Sequence, residues 1–278
     1  MATRHRRFAI VFAALVLLAT TAGPSRAEIA AHFVDVGQGG AVFVQKDGKN
    51  YVYDCGDTFA AKTFIDYLDD LDIKTIDALV VSHAHKDHMG ACTALLDSHI
   101  KVKRVYHNGS RASTATWKRF LKQADKTADE VIVVDHNLEL DGLDILVAYN
   151  QRERFAKEAD NSLLVRFIDG RIRVLLTGDC EAVCERALIA DQTNGGVNAT
   201  ILNVGHHGSN ASSSPDFLRA VKPEIAVISA GAGNQYGHPT VPVLQRLGTA
   251  HAKIYRTDHD GSIVVRSDGT AYKIETDK

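Results

Sequence analysis

The chain has 278 residues, 45% of them hydrophobic and 24% charged. That composition supplies a sizeable core and excludes disordered, collagen-like and low-complexity classes. With 32 basic against 34 acidic residues and a net charge of -2, it lacks the overall basicity of a nucleic-acid binder, so any polyanion has to be met by a local basic patch or a metal ion.

In chain order, residues 1–27 read differently from the rest. Arg4, Arg6 and Arg7 form a basic start, Phe8 to Thr20 is an apolar run, and Thr21 to Ala27 breaks it with small residues. Ser25 and Ala27 fit the small-x-small pattern of a signal-peptidase site, and the run is short for a bilayer crossing. The expectation is a secretory signal over 1–27, cleaved before Glu28, with residues 28–278 forming one secreted or periplasmic domain; an uncleaved anchor is the alternative. Without Arg4, Arg6, Arg7 and Arg26, 28 basic residues face 34 acidic ones, a balance of -6.

His32 to Val44 reads as strand, Gly-rich turn, strand, with Gly37, Gly39 and Gly40 in the turn. Asp47-Gly48 signals a hairpin into Tyr51 to Tyr53, which ends at Asp54-Cys55-Gly56-Asp57. Thr58 to Leu71 has helical spacing of Phe59, Phe64, Ile65 and Leu68. Ile76 to Val81 is a buried strand leading into Ser82-His83-Ala84-His85-Lys86-Asp87-His88-Met89-Gly90. Val102 to Tyr106 is a strand, and Ser113 to Ala124 a helix with Trp117 and Phe120 inward and Lys118, Arg119 and Lys122 outward, an ordinary solvated face. Val131 to Val134 and Leu143 to Ala148 are strands, 151–157 a polar loop, and Asn161 to Ile168 a strand whose partner, Arg171 to Leu176, ends in Thr177-Gly178-Asp179. Residues 180–190 are helical. Ala199 to Val204 ends in Gly205-His206-His207-Gly208-Ser209, and Ile225 to Ser229 in a Gly-rich turn that closes with His238-Pro239. Val241 to Leu247 is a helix, Ala252 to Tyr255 a strand, and Ser262 to Arg266 with Ala271 to Glu275 a final hairpin. Antiparallel strands followed by strand–helix alternation predict an α/β sandwich of two mixed sheets face to face with helices outside, and a site along one edge.

Cys55, Cys92, Cys180 and Cys184 permit two disulfides in an exported chain. Three pairings are open. Cys180 and Cys184 sit at i, i+4 spacing, and no CxxC pair suggests a Cys-rich zinc site.

Chemistry concentrates where strands end. A lone His is usually structural, but three His and one Asp in H-x-H-x-D-H directly after a buried strand suit a divalent cation. Asp54, Asp179 and the His206/His207 pair stand at other strand ends. These are more ligands than one tetrahedral ion takes, and they suit two ions about 3.5–4 Å apart.

These motifs resemble the metallo-β-lactamase superfamily. Within it they are most similar to the hydrolase domain of ComEC/Rec2 competence proteins, through D-V-G-Q-G-G-A (35–41), S-H-A-H-K-D-H-M-G (82–90), L-L-T-G-D (175–179), V-G-H-H-G-S (204–209), N-Q-Y-G-H-P (234–239) and Y-R-T-D (255–258). The resemblance spans essentially all of 28–278 and implies the αββα metallo-β-lactamase fold with two Zn or Mn ions. It implies His83 and His85 on one ion, Asp87 and His88 on the other, Asp179 bridging them, and His207 completing the second site. His206 would then touch a phosphate or protonate a leaving group, although the reverse assignment of His206 and His207 stays open. Asp54 would orient a ligand His from behind.

Two departures stand out. Asn161 holds the place of a further His found in many members, which implies a more exchangeable ion at His83 and His85. Gly40 stands where the competence-type pattern has Asp. The implied activity is that of a secreted phosphodiesterase or nuclease acting on DNA or RNA through a hydroxide shared by two metals, with Asp87 orienting that hydroxide and His206, His238 and the 231–237 turn holding the phosphate. Lys86 stands at the rim. The alternative on the same fold is hydrolysis of a lactam, lactone or thioester. No polytopic membrane segments are present, so no membrane channel is expected.

Overall fold

The computed structural model describes residues 29–278 apart from Asp141, 150–152, Gln192 and Asn194. The expected signal segment and the cleavage point before Glu28 lie outside the described residues. No described helix is long and apolar enough to cross a membrane.

Strands β1 (Ile29–Phe33), β2 (Ala41–Lys46), β3 (Lys49–Cys55), β4 (Thr75–Val81), β5 (Lys101–His107) and β6 (Glu130–Val133) form one sheet. The closing hairpin, β14 (Ile263–Ser267) and β15 (Tyr272–Thr276), adds to it beside β1, so the two ends of the domain meet in one layer. The second sheet holds β7 (Leu138–Leu140), β8 (Leu143–Val147), β9 (Leu163–Asp169), β10 (Ile172–Leu176), β11 (Ile201–Asn203), β12 (Ile225–Ile228) and β13 (Lys253–Arg256), in the spatial order β13 to β7. Each sheet is mixed. β3 to β6 run parallel, as do β10 to β13, and the remaining pairs are antiparallel.

Strand periodicity sorts the core into three layers. Ala78 and Val80 of β4 face the other sheet, where they meet the layer of Val165, Phe167, Val174, Leu176 and Val227. Their neighbours Leu79 and Val81 point outward onto helices α1 (Ala61–Asp70), α2 (Lys86–Met89), α3 (Cys92–Asp97) and α4 (Ala115–Thr127), burying Phe64, Leu68, Met89, Leu95, Trp117 and Phe120. On the far side, Leu164, Leu175, Leu202 and Ile228 pack under α5 (Ala182–Ala190), α6 (Pro215–Val221) and α7 (Val241–Thr249). Strands buried on both faces explain their near-continuous apolar runs. The αββα expectation holds.

Local differences have local causes. Helix 58–71 begins as a 3-10 turn (Thr58–Ala60), which rotates Phe59 off the buried stripe and leaves it 68% exposed. The strand expected from Asn161 begins at Leu163, because Asn161 closes a 3-10 turn. The helix expected from Ser113 starts after Thr114, whose hydroxyl accepts from the Trp117 amide at 3.2 Å.

Both disulfides form beside strand ends. Cys55–Cys92 ties the end of β3 to α3 across 37 residues, and Cys180–Cys184 ties the loop after β10 to α5 across four. Chain-entropy arithmetic assigns about 4 kcal/mol to the longer loop and about 2 kcal/mol to the shorter. Denaturant unfolding should therefore show Cys55→Ser/Cys92→Ser losing clearly more stability than Cys180→Ser/Cys184→Ser; equal losses would contradict the loop-length account.

His32, fully buried with its Nδ1 2.8 Å from the Tyr67 hydroxyl, is pushed down to about 4, chiefly by burial and then by Arg266. An unfolded His takes a proton near pH 6.5, so the unfolded chain gains protons first as pH falls, and stability drops from about pH 6.5 toward pH 4. Between pH 7 and pH 5 the native chain should lose about 2 kcal/mol more than His32→Gln in urea melts; parallel curves would show that this imidazole is not held neutral.

Candidate metal centre

Parallel strands align their carboxyl ends, and in both sheets those ends meet at one edge. The end of β3 supplies Asp54, and the turns after β4, β10, β11 and β12 supply the His83–His88 loop, Asp179, the His206/His207 pair and Ser229. Asp179 is the centre. It is 1% exposed, and both of its oxygens face imidazoles. Its Oδ2 lies 3.5 Å from His83 Nε2, 4.0 Å from His85 Nδ1 and 3.5 Å from His206 Nε2. Its Oδ1 lies 2.9 Å from His88 Nε2 and 3.7 Å from His207 Nε2. Asp87 closes the second group, with Oδ2 3.3 Å from His207 Nε2.

His83, His88, His206 and His207 are each held from behind. Asp54 accepts from His88 Nδ1 at 2.7 Å, and its two oxygens also take the Ser82 amide and hydroxyl. That leaves the Ser82 oxygen 2.9 Å from His83 Nδ1, with Ser162 on the same nitrogen at 3.3 Å. The Ser229 carbonyl accepts from His207 Nδ1 at 2.8 Å. Glu181 lies 2.9 Å from His206 Nδ1 and is itself met by Lys157. With Nδ1–H committed outward, the Nε2 lone pairs converge inward, the tautomer a metal ligand needs.

That arrangement fits divalent cations on its own terms. His88 Nε2 and His207 Nε2 face each other at 3.2 Å, and both would be lone pairs in the neutral tautomers that bind a metal. The buried atoms His83 Nε2 and Asp179 Oδ1 have no hydrogen-bond partner among the described residues. Ligand atoms of a tetrahedral zinc site are separated by about 3.3 Å, given bonds of about 2.0–2.1 Å, and the distances above cluster there. Among the described residues, two groups have the compactness of an ion site: His83, His88 and Asp179; and Asp87, His88 and His207. Burial works to raise the Asp179 carboxyl, but His88 and His83 outweigh it and hold the group well below the usual carboxylate range. Burial likewise opposes ionisation of Asp87, and the adjoining His207 and His88 imidazoles overcome it. Both carboxylates are therefore anionic.

The backbone bends to make this site. His206 and His207 are consecutive non-glycine residues in left-handed geometry, with φ of 50° and 54°. Such geometry costs about 1–2 kcal/mol per residue, and it turns two adjacent rings into one centre. Gly40 approaches His88 so closely that a Cβ there would stand 3.2 Å from Nδ1, crowding the ring.

The remaining expected site residues divide. His238 reaches the mouth, its ring 5.7 Å from His206 and stacked on exposed Tyr236 at 5.9 Å. Burial and then His206 and His207 push its pKa down, so the ring is neutral. Asn161 turns away from the centre. Its amide bonds Phe155 N and O and the Lys157 carbonyl, and the hydroxyl of neighbouring Ser162 reaches His83 instead. Part of the 231–237 turn is spent internally. Gln38 takes the Gly231 amide, and Asn234 takes those of Tyr236 and His238, which removes them from the expected phosphate cradle. Lys86 pairs with Asp57 at 3.0 Å. Sequence reasoning missed Ser82, Ser162 and Glu181. Ser82 and Glu181 lie within two residues of a ligand, the one signal that marked them.

A family model described as the metallo-beta-lactamase superfamily matches residues 34–232. ComE operon protein 3 of Bacillus subtilis (strain 168) is 31% identical over 253 residues, covering 84% of this chain and 32% of that protein. Competence protein ComA of Neisseria gonorrhoeae is 31% identical over 230 residues, covering 82% of this chain and 31% of that protein. The chain thus spans about a third of the length of these relatives. Among solved structures, the metallo-beta-lactamase fold protein YhfI from Bacillus subtilis superposes with a TM-score of 0.53 at 14% identity, over 86% of this chain and all of that one. With the matched region containing Asp54, the H-x-H-x-D-H loop, Asp179 and the His206/His207 pair, the chain belongs to the metallo-β-lactamase superfamily.

Proposed function

We propose that this metal-dependent hydrolase cleaves phosphodiesters, acting outside the cytoplasm on DNA or RNA with two divalent ions, zinc or manganese. The observation that carries the reading is Asp179, a single buried carboxylate with ligand-type imidazoles grouped on each of its oxygens. Bound there, a pair of divalent ions would activate a shared water at neutral pH and draw charge from phosphate oxygens.

The chain's own groups do the positioning. Asp87 is anionic and partly open to solvent, so its carboxylate can both hold an ion and orient the attacking oxygen. His238 stands at the mouth with a buried Nδ1 that has no partner among the described residues. A neutral imidazole in that place donates one hydrogen bond to a phosphate oxygen. Tyr236, 58% exposed and stacked on His238, offers a face on which a nucleobase can rest. The net charge of -2 places the burden of binding a polyanion on the ions. Similarity to a competence protein agrees with nucleic acid as substrate, and two disulfides agree with an oxidising compartment.

The test is a hydrolase screen on the purified, metal-reconstituted chain with bis-p-nitrophenyl phosphate, single- and double-stranded DNA, RNA, nitrocefin and a homoserine lactone. Phosphodiester turnover should appear, vanish with chelator, and fall by roughly a thousandfold in Asp179→Asn, the scale of losing a main electrostatic element of a site. Turnover of nitrocefin or the lactone with no phosphodiester cleaved would overturn the reading in favour of carbonyl chemistry.

A further inference from the structure

We propose that His206 is a metal ligand that completes the first ion's site, so that the adjacent His206 and His207 serve different ions and Glu181 is the positioning residue behind His206. This inference rests on the two-ion reading above. It reassigns His206 from the phosphate contact or proton donor implied by resemblance.

Four observations converge. His206 Nε2 lies 3.5 Å from Asp179 Oδ2, the same separation that His83 Nε2 shows from that oxygen. Both distances are close to the edge of about 3.3 Å between neighbouring ligands on a tetrahedral ion. His207 does not share this oxygen. Its Nε2 faces Asp179 Oδ1 at 3.7 Å and Asp87 Oδ2 at 3.3 Å, on the other half of the carboxylate. The αL–αL backbone at His206 and His207 produces this division, since each ring leaves the turn in a different direction, with centroids 6.2 Å apart and planes at 72°.

The third observation is the hydrogen bond behind the ring. His206 Nδ1 is 2.9 Å from Glu181 Oε1, and Lys157 binds the other carboxylate oxygen. A carboxylate on the distal nitrogen is the usual support of a metal-bound imidazole, and it points the Nε2 lone pair at the ion. The fourth is the vacancy in the ligand count. His83, His85 and Asp179 Oδ2 make three, and Asn161 adds none because its amide is occupied by the 155–157 loop. His206 makes four, so the first ion is not short of a ligand, and its expected weak binding does not follow.

Metal content separates the roles without recourse to activity. The full chain, His206→Ala, His207→Ala, Glu181→Gln and His238→Ala would be reconstituted with Zn(II) and with Co(II), dialysed, and titrated against a chromogenic chelator, with circular dichroism confirming the fold. The native chain should hold two ions. His206→Ala should keep one and release the other at least 100-fold more readily, with a changed Co(II) visible spectrum. Glu181→Gln should weaken that ion about 10-fold, as expected for removal of an outer hydrogen-bond partner. His207→Ala should lose the other ion, and His238→Ala should hold two like the native chain. Two ions at native affinity and an unchanged Co(II) spectrum in folded His206→Ala would overturn the assignment. One ion or none in the native chain would overturn the two-ion reading itself.

Discussion

Everything in the site depends on Asp179, an anionic carboxylate buried between two sheets. A buried charge is tolerated only when opposite charge and hydrogen bonds surround it. Here the surroundings are imidazoles, and those rings are aimed by their outer partners so that lone pairs, not protons, face inward. The site is thus built for cations that supply the missing positive charge. Asp54, Ser82, Ser162, Glu181 and the Ser229 carbonyl make up that outer ring of constraints.

The fold serves this arrangement by bringing loops from both sheets to one edge. Parallel strands in each layer point their carboxyl ends the same way, and three residues there carry backbone strain. Asp54, His206 and His207 all take left-handed geometry without being glycine. The large apolar layers on either side of each sheet supply the stability that offsets this strain. The disulfides fasten the same region, since Cys55 follows Asp54 and Cys180 follows Asp179. Ligand direction and strand termination are therefore one structural problem solved once.

Much of this was legible in the sequence because the pattern is dense. Apolar runs ending in His or Asp marked the strand ends, and six of the groups around Asp179 were named from motifs alone. The illegible part lay in side-chain direction. Asn161 sits where a ligand is expected, yet its amide closes a local turn, and only three-dimensional contacts reveal Ser162 in its stead. Phe59 fits the helical period, but a 3-10 start shifts it to solvent. The Gly-rich turn after β12 suggested an anion cradle, but Asn234 takes two of its amides, those of Tyr236 and His238. Adjacent residues such as His206 and His207 cannot be separated by spacing; only their unusual φ angles distinguish where each ring goes.

The central claim is that one carboxylate, Asp179, is shared by two metal ions with different ligand sets. Its most direct test is anomalous diffraction from crystals of the full chain grown with zinc or manganese. Two anomalous peaks about 3.5–4 Å apart are expected, one on the Oδ2 side with His83, His85 and His206, the other on the Oδ1 side with Asp87, His88 and His207. A single peak, or two peaks of which neither touches Asp179, would contradict it.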